Sequence, residues 1–259
     1  MAEVLITGAA GTLGTALWKG LGGIHSLRGL DRAPGRNKDI RRADTRRLRR
    51  IESAFRGVDV VVDLAANTDM SARWSDISKQ NLPATMAALE AARRQGVRRY
   101  VFASSNHVTG MYERDHPYSA IVAGAYEGLD PAAIPRLGSL VPIRPDGPYA
   151  IGKAVGEAVA RYYADVFGLS AICLRIGTVN RLDRPTQPRH FATFLSHADL
   201  VHLVDCAVGA PGDFRFGTYY GVSDNTWRFW DIEDARQAIG YSPKDNAESF
   251  RETETHAPG

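Results

Sequence analysis

The sequence contains 259 residues, of which 44% are hydrophobic and 24% are charged, and it carries a formal net charge of +3. These proportions exclude disordered, collagen-like and disulfide-scaffold proteins, because they match those of an ordinary globular chain. The net charge is also too small to indicate a nucleic-acid binder by itself. We therefore expect a globular protein with a full hydrophobic core.

Cysteine usage and the apolar segments bear on where the protein works. Cys173 and Cys206 lie in apolar sequence far from each other, which favours a reducing compartment, and we expect the cytoplasm. The N-terminal residues MAEVLITG lack the features typical of a secretion signal. No apolar run approaches the ~20 residues that a membrane span needs, so we expect no membrane association.

Strand and helix patterns alternate along the first two thirds of the chain. Apolar runs predict strands at residues 4–6, 26–30, 58–64, 99–103 and 171–176, and helices at 13–21, through Met86, Leu89 and Ala92, and at 149–167. Such alternation predicts right-handed βαβ crossovers and an α/β fold with a doubly wound parallel sheet. Pro83 predicts a restart or a kink in the Ala-rich helix.

The last part of the chain lacks this regular alternation. A helix is predicted at residues 195–208, a strand at 218–222 and a short helix at 232–239. We expect one domain over residues 1–259, with a cofactor-binding part at about 1–175 and a small C-terminal substrate lobe at 176–259. Because open α/β sheets bind ligands at the carboxyl ends of their strands, the active site should lie between these parts.

A local cluster of positive charge interrupts the otherwise balanced sequence. Seven arginines lie between residues 41 and 56, namely Arg41, Arg42, Arg46, Arg47, Arg49, Arg50 and Arg56. They could in principle contact phosphates. We interpret them as a solvated helix face beside a nucleotide site, and we expect no nucleic-acid partner.

Three glycines follow the first predicted strand at the spacing of a dinucleotide-binding turn. Gly8, Gly11 and Gly14 would allow a tight turn, close approach of a pyrophosphate to the backbone, and packing of the helix on the strand. Asp31 ends the second strand about 20 residues later, where a carboxylate accepts hydrogen bonds from the adenosine ribose. This favours NAD over NADP, although the neighbouring Arg32 leaves contact with a 2′-phosphate open.

Tyr149 and Lys153 are four residues apart at the start of a helix, so their side chains share one face. A tyrosine pKa near 10 must fall by ~3 units for the phenol to act as a base near neutral pH. The Lys153 ammonium and a nicotinium charge would supply that shift. Ser104 and Ser105 end a core strand and are the available hydroxyls for binding the reacting oxygen.

With these motifs, the chain resembles the extended short-chain dehydrogenase/reductase family, which has a Rossmann-type fold. The resemblance implies a cofactor site whose residues match Gly8, Gly11, Thr12, Leu13, Gly14, Asp31, Arg32, Asp44, Leu64, Ala65, Ala66, Tyr149, Lys153 and Ile176. Within that set it places Asp44 near the adenine. It also implies that Ser105, Tyr149 and Lys153 are catalytic, that Ser105 rather than Ser104 supplies the hydroxyl, and that the protein forms a homodimer.

Two further strings narrow the resemblance. FASSNH at residues 102–107 replaces the Ser-Ser-x-x-Val-Tyr-Gly string of sugar-nucleotide epimerases, and RIGT at 175–178 followed by RHFATFLSH at 189–197 looks like uronate dehydrogenases. The C-terminal strings are similar to the same group and to short-chain-type aldose and glucose-6-phosphate dehydrogenases. The resemblance implies NAD-dependent oxidation of the anomeric hydroxyl of an anionic aldose to its lactone. It also implies sugar-binding roles for Thr68, Ser105, Asn106, His107, Thr178 and Arg189. Arg189 as a surface arginine and His107 as a buried structural histidine remain open alternatives.

Residues 116–141 appear as an insertion relative to uronate dehydrogenases and are expected to form a lid over the sugar. Because of this insertion, three alternatives remain open for the anionic group of the substrate: a carboxylate, a phosphate and a sulfonate. His190, His197 and His202 are not spaced to share one helical face with a carboxylate, and we expect no metal site. Two other functions remain possible: an epimerase or dehydratase that retains its NAD, and a non-catalytic NAD-binding regulatory or RNA-associated protein.

Overall fold

A computed structural model describes residues 1–33 and 39–254 of the chain. Seven strands form one sheet in the order β3-β2-β1-β4-β5-β6-β7, and every neighbouring pair is parallel. The strands are β1 (Glu3–Thr7), β2 (Ser26–Asp31), β3 (Ile40–Arg42), β4 (Val60–Asp63), β5 (Arg99–Ser105), β6 (Ser170–Ile176) and β7 (Phe216–Gly221). The predicted α/β fold with a parallel Rossmann-type sheet is confirmed.

Helices of very different length connect these strands. They are α1 (Thr12–Leu21), α2 (Leu48–Ile51), α3 (Trp74–Arg94), α4 (Tyr118–Ala123), α5 (Pro148–Phe167), α6 (His190–Thr193), α7 (His197–Gly209), α8 (Glu233–Ile239) and α9 (Ser249–Glu254). Short 3₁₀ segments lie at Glu52–Phe55, Asn106–Arg114 and Pro131–Ala133. Within the described ranges, no helix combines the length and the apolar character that crossing a bilayer requires.

The two faces of the sheet pack on different helices. In β1, Val4 and Ile6 belong to one apolar cluster together with Leu17 of α1, whereas Leu5 belongs to a second cluster with Ala88 of α3. Neighbouring strand residues point to opposite faces, so a continuous apolar run buries side chains on both sides. The doubly wound arrangement follows directly from these runs.

Pro83 lies inside α3, which runs as a single helix from Trp74 to Arg94. The restart that the proline predicts therefore does not occur. Ala84, Ala88 and Ala92 of this helix are buried against the sheet and its neighbours. Burial of this apolar face offsets the hydrogen bond that proline cannot donate.

The sequence predicts a lid at residues 116–141, but the segment packs elsewhere. Tyr118 is buried with its ring centroid 4.8 Å from that of Phe229, and Leu137 forms a parallel bridge with Trp230. No residue of the segment lines the large cavity described below. Its side chains Tyr118, Ile121, Ile134 and Leu137 belong to the core beside the C-terminal part of the chain.

Candidate active site

A cavity of about 630 Å³ lies at the carboxyl ends of the strands. This volume is within the range of cofactor and substrate sites. The predicted site residues that line it are Gly8, Gly11, Thr12, Leu13, Gly14, Asp31, Arg32, Leu64, Ala65, Ala66, Thr68, Ser105, Asn106, His107, Tyr149, Lys153, Ile176, Thr178 and Arg189. Of the predicted set, Asp44 alone is outside the cavity lining.

The turn between β1 and α1 requires glycine at two of its positions. Gly8 has φ +68°, a left-handed conformation that side chains disfavour. A Cβ on Gly14 would lie 2.6 Å from the carbonyl oxygens of Gly8 and Ala9, which is too close for any other residue. The turn therefore brings backbone N–H groups and the start of α1 to the cavity surface, where they can receive phosphates.

Asp31 connects the second strand to this turn. Its carboxylate accepts hydrogen bonds from the backbone N–H of Ala10 at 2.9 Å and of Ala33 at 2.8 Å. The side chain is held at the cavity wall, and each carboxylate oxygen has a second lone pair that can accept a hydrogen bond. The glycine turn, the Asp31 carboxylate and the cavity together fit a bound dinucleotide.

Asp44 was expected to face the adenine, but its carboxylate pairs with Arg46. The Arg46 Nη2 atom lies 2.7 Å from Asp44 Oδ2, and this contact holds the pKa of Asp44 at about 2. Thr45 and Arg46, rather than Asp44, line the cavity beside Asp31. Asp44 thus orients a cation at this wall instead of contacting the cavity itself.

The three residues expected to transfer protons come together from two elements. Ser105 ends β5, and Tyr149 and Lys153 lie one turn apart in the first half of α5, where Pro148 occupies the first helical position. The Ser105 hydroxyl lies close enough to the Tyr149 phenol to favour its ionised form, and the Lys153 ammonium lies 5.8 Å from the Tyr149 ring centroid. Lys153 Nζ donates to the carbonyl of Ala103 at 2.5 Å, which fixes the ammonium beneath the cavity.

The adjacent serine has a different partner. Ser104 Oγ donates to Glu157 Oε1 at 2.6 Å, and Glu157 forms a bidentate ion pair with Arg175 at 2.9 Å. Because its hydroxyl is used in this buried network, Ser104 is not available to a reacting oxygen. This geometry agrees with the choice of Ser105.

Burial dominates the protonation equilibria of Tyr149 and Lys153. It raises the pKa of Tyr149 to about 12, against the opposing effect of the Ser105 hydrogen bond. Burial also lowers the pKa of Lys153 to about 8, while the carboxylate of Asp63 favours the charged lysine. The phenol is therefore a poor base in the chain alone, and positive charge beside it is needed to ionise it.

The other end of the cavity carries polar groups suited to a hydroxylated ligand. Asn106 is 1% exposed, and within the described residues its Nδ2 atom has no hydrogen-bond partner. His107 Nδ1 lies 2.5 Å from Asp146 Oδ2, so this histidine is held by a carboxylate rather than by backbone. An unpartnered buried amide beside a cavity is a donor for a bound molecule.

Arg189 lines the same end but already has partners. Its Nε and Nη2 atoms donate to the two carboxylate oxygens of Glu113 at 2.6 and 2.7 Å. Its Nη1 atom donates to Thr178 Oγ1 at 3.2 Å. The guanidinium expected to bind a substrate anion is thus paired within the protein.

Sequence reasoning missed several residues of the site. Asn81 of α3 exchanges hydrogen bonds with the backbone of Asn67 at 2.8 and 2.9 Å and so positions the loop after β4. An asparagine within an Ala-rich helix was an available signal for this contact. Glu113 and Asp146 had none, since no spacing connects them with Arg189 or His107.

The three histidines considered for a metal have separate partners. His190 contacts Gln187 Nε2 at 2.7 Å, and burial lowers its pKa to about 4, whereas His197 Nε2 lies 2.8 Å from the carbonyl of Asn180. In the part of the chain that the structure describes, no group of three or more metal-binding side chains converges.

Comparison with known proteins identifies the family. Residues 4–213 match the model of the NAD dependent epimerase/dehydratase family. The chain belongs to this family. Membership confirms the extended short-chain dehydrogenase/reductase resemblance and the NAD cofactor expected from the glycine turn and Asp31.

Three named proteins are similar to this chain over nearly its whole length. An NAD-dependent glucose-6-phosphate dehydrogenase of Haloferax volcanii is 32% identical over 95% of this chain and 95% of its own. An L-arabinose 1-dehydrogenase (NAD(P)(+)) of the same organism is 32% identical over 95% and 98%. The crystal structure of a uronate dehydrogenase variant from Agrobacterium tumefaciens, complexed with NAD, has 32% identity and a TM-score of 0.81 over 100% of this chain and 91% of that one.

Proposed function

We propose that this protein oxidises the anomeric C1 hydroxyl of an aldose to the lactone with NAD. The convergence of Ser105, Tyr149 and Lys153 on the cavity that begins at the glycine turn carries the proposal. The three relatives support it, since their names describe NAD-linked dehydrogenases of glucose 6-phosphate, L-arabinose and uronate. These names include charged and neutral sugars, so they leave the charge of the substrate open.

NAD, when bound, accepts the hydride that leaves C1. Tyr149 removes the proton of the anomeric hydroxyl, and Ser105 donates a hydrogen bond that orients the same oxygen. The Lys153 ammonium stabilises the phenolate through space, and its contact with Ala103 keeps the charge in place. Burial of the phenol keeps water away from the proton transfer.

We also propose which residues of the cavity bind the cofactor and which bind the sugar. The glycine turn, with Thr12 and Leu13, binds the pyrophosphate, and Asp31 selects NAD by accepting hydrogen bonds from the ribose. Residues 1–175 thereby serve the cofactor, and residues 176–259 contribute to the sugar site. Thr68, Asn106, His107, Thr178 and Arg189 line the sugar end.

Replacement of the phenol tests the catalytic assignment. Tyr149→Phe removes the base, so we expect kcat for NADH formation to fall by roughly 10³-fold or more while NAD binding stays near that of the wild type. Tyr162→Phe on the exposed side of the same helix is the matched control and should leave kcat unchanged. NADH formation is followed at 340 nm, and NAD binding by calorimetry.

Two outcomes would contradict the proposal. Retained turnover in Tyr149→Phe would remove the tyrosine from the mechanism. Conversion of the sugar without release of NADH would point instead to an epimerase or dehydratase that keeps and recycles its NAD.

We further propose that the protein is a cytoplasmic homodimer. Both cysteines are free, which suits a reducing compartment. Exposed apolar side chains lie on α5 at Ile151, Val155, Tyr162 and Val166. This spacing places them on one side of the helix, as expected for a surface that a second copy covers.

A further inference from the structure

Arg189, which lines the sugar end of the cavity, is part of an ion pair formed within the protein. Glu113, in the 3₁₀ segment after β5, holds Arg189 through two parallel N–H···O contacts of 2.6 and 2.7 Å. The side chains of Glu113 and Arg189 are 13% and 22% exposed. A bidentate pair of this geometry and burial is among the stronger charge contacts of proteins, and separating it leaves a poorly solvated carboxylate.

The third guanidinium nitrogen of Arg189, Nη1, also has hydrogen-bond partners. Arg189 Nη1 contacts Thr178 Oγ1 at 3.2 Å and Thr193 Oγ1 at 3.5 Å, and the two threonine hydroxyls are 2.8 Å apart. Every guanidinium nitrogen thus has a partner in the protein. A substrate anion could take the Nε and Nη2 fork only by displacing Glu113.

The positive charge of Arg189 at this end of the cavity is balanced before a substrate binds, and Asp146 beside His107 adds a second carboxylate. Among the described residues lining the cavity, Arg32 and Arg46 lie by Asp31 and Lys153 lies behind Tyr149, so Arg189 is the cation of the sugar end. The Glu113 carboxylate cancels its charge. An incoming carboxylate or phosphate would add net negative charge to a partly buried site.

Two buried polar atoms near this end have no partner among the described residues: the amide Nδ2 of Asn106, and Oδ1 of Asp146, whose other oxygen holds His107. Of the two residues, only Asn106 lines the cavity, and its group is uncharged. Asn106 lines the cavity, is 1% exposed, and has an Nδ2 atom without a partner among the described residues. An amide donor suits a sugar hydroxyl, which can accept its hydrogen bond without a charge.

We propose that the substrate is a neutral aldose and that Glu113 is a specificity-determining residue, which acts by positioning and neutralising Arg189. The inference rests on the proposed function, since it assigns the substrate class of the same site. Glu113 does not line the cavity, so it acts through the arginine rather than by contact with the sugar.

Sugars that differ only at C6 test this inference. The wild type is assayed with glucose, glucuronate and glucose 6-phosphate, and with galactose and galacturonate, and kcat/KM is measured for each by NADH formation. We expect the neutral member of each set to have a kcat/KM at least tenfold above its anionic counterparts. A wild-type preference for the uronates or the phosphate would overturn the inference while upholding the proposed function.

Glu113→Gln keeps the shape of the side chain and removes its charge. We expect it to raise the ratio of anionic to neutral kcat/KM by about tenfold or more, with a larger rise for glucose 6-phosphate than for glucuronate, and added salt should reduce this rise. Glu113→Asp, which keeps the charge, should retain the wild-type order. Glu127→Gln, at an exposed glutamate outside the site, is the control and should leave every ratio unchanged.

The outcomes separate the two proposals. An equal fall of kcat/KM for all sugars in Glu113→Gln indicates a merely structural glutamate and overturns the specificity role. If the wild type forms NADH neither from these sugars nor from L-arabinose, the proposed function fails and the inference with it.

Discussion

At the scale of single residues, the central problem of the site is to ionise a buried phenol. Burial raises the pKa of Tyr149 to about 12, so the phenolate is scarce at neutral pH without a nearby positive charge. The Lys153 ammonium is the protein's own source of that charge. Burial lowers the pKa of Lys153 to about 8. Keeping the buried lysine charged beside Tyr149 therefore costs desolvation free energy.

Lys153→Met should therefore change the pH dependence as well as the rate. The ammonium favours the phenolate, so its removal raises the pKa of Tyr149, and the acid limb of the kcat profile should move upward by about one to three pH units. At pH 7 kcat should fall at least roughly tenfold. Lys79→Met, at an exposed lysine of α3, serves as the control. An unshifted acid limb in Lys153→Met would contradict an electrostatic role for the lysine.

Some side-chain contacts of the site could be predicted from the sequence, and others could not. Tyr149 and Lys153 could be predicted because a spacing of four on a helix brings two side chains together. The pairing of Glu113 with Arg189 could not, since 76 residues separate them and the contact arises only from the tertiary fold. The pairing of Asp44 with Arg46 could not be predicted either, because no sequence pattern indicates that Arg46 takes this carboxylate.

At the scale of elements, one buried arginine joins β5 to the end of α7. Arg99 is fully buried, and its guanidinium donates to the carbonyls of Val208, Ala210 and Pro211 at 3.1, 2.6 and 2.6 Å. Carbonyls at the end of a helix lack partners within the helix, so this cation satisfies them. Burial lowers the pKa of Arg99 to about 10, which still leaves it charged near neutral pH.

Truncation of this arginine should be costly. Arg99→Ala leaves several buried carbonyls without donors and creates a cavity, so we expect a loss of about 3 kcal/mol or more in the free energy of unfolding. The loss is measured by urea denaturation at pH 7. Arg98→Ala removes the exposed neighbour and should change stability by less than about 0.5 kcal/mol. Equal stability of the two variants would refute the capping role.

The secondary-structure elements that could be predicted are those with a regular sequence pattern. The buried strands and the helices α1, α3 and α5 could be predicted because apolar runs and helical periodicity are local properties. The 3₁₀ segment Asn106–Arg114 and the packing of residues 116–141 had no such pattern. Their positions depend on tertiary contacts such as the bridge between Leu137 and Trp230, which no short window of sequence contains.

At the scale of the whole molecule, α3 and α5 present an apolar surface to solvent. On α5, Val155 is 37% and Val166 is 56% exposed, and on α3, Trp74 and Met86 are 48% and 55% exposed. The two helices pack against each other, and we take their exposed apolar side chains together as one candidate face. A face of this kind is typical of a subunit interface.

Charge on this face should disrupt the proposed homodimer. We expect the wild type to have the mass of two chains by size-exclusion chromatography with light scattering, and Val166→Glu to have the mass of one. Leu140→Glu is the control, because Leu140 is 96% exposed but lies outside α3 and α5. A monomeric wild type, or a Val166→Glu variant that remains dimeric at micromolar concentration, would contradict an interface at this face.

The overall architecture could be predicted from the sequence because the parallel sheet follows from alternating strands and helices. The location of the cavity at the carboxyl ends of the strands followed from the same topology. The charge of the sugar end could not be predicted, because it depends on which side chains from distant segments meet there.

The transfer of hydrogen from C1 is the central claim, and an isotope label tests it most directly. An aldose deuterated at C1 is incubated with NAD and the enzyme, and the released NADH is analysed by mass spectrometry. The account predicts that the NADH carries the deuterium and that the sugar is recovered as a lactone or its hydrolysis product without it. Deuterium retained by the sugar product, with NADH unlabelled or not released, would contradict it.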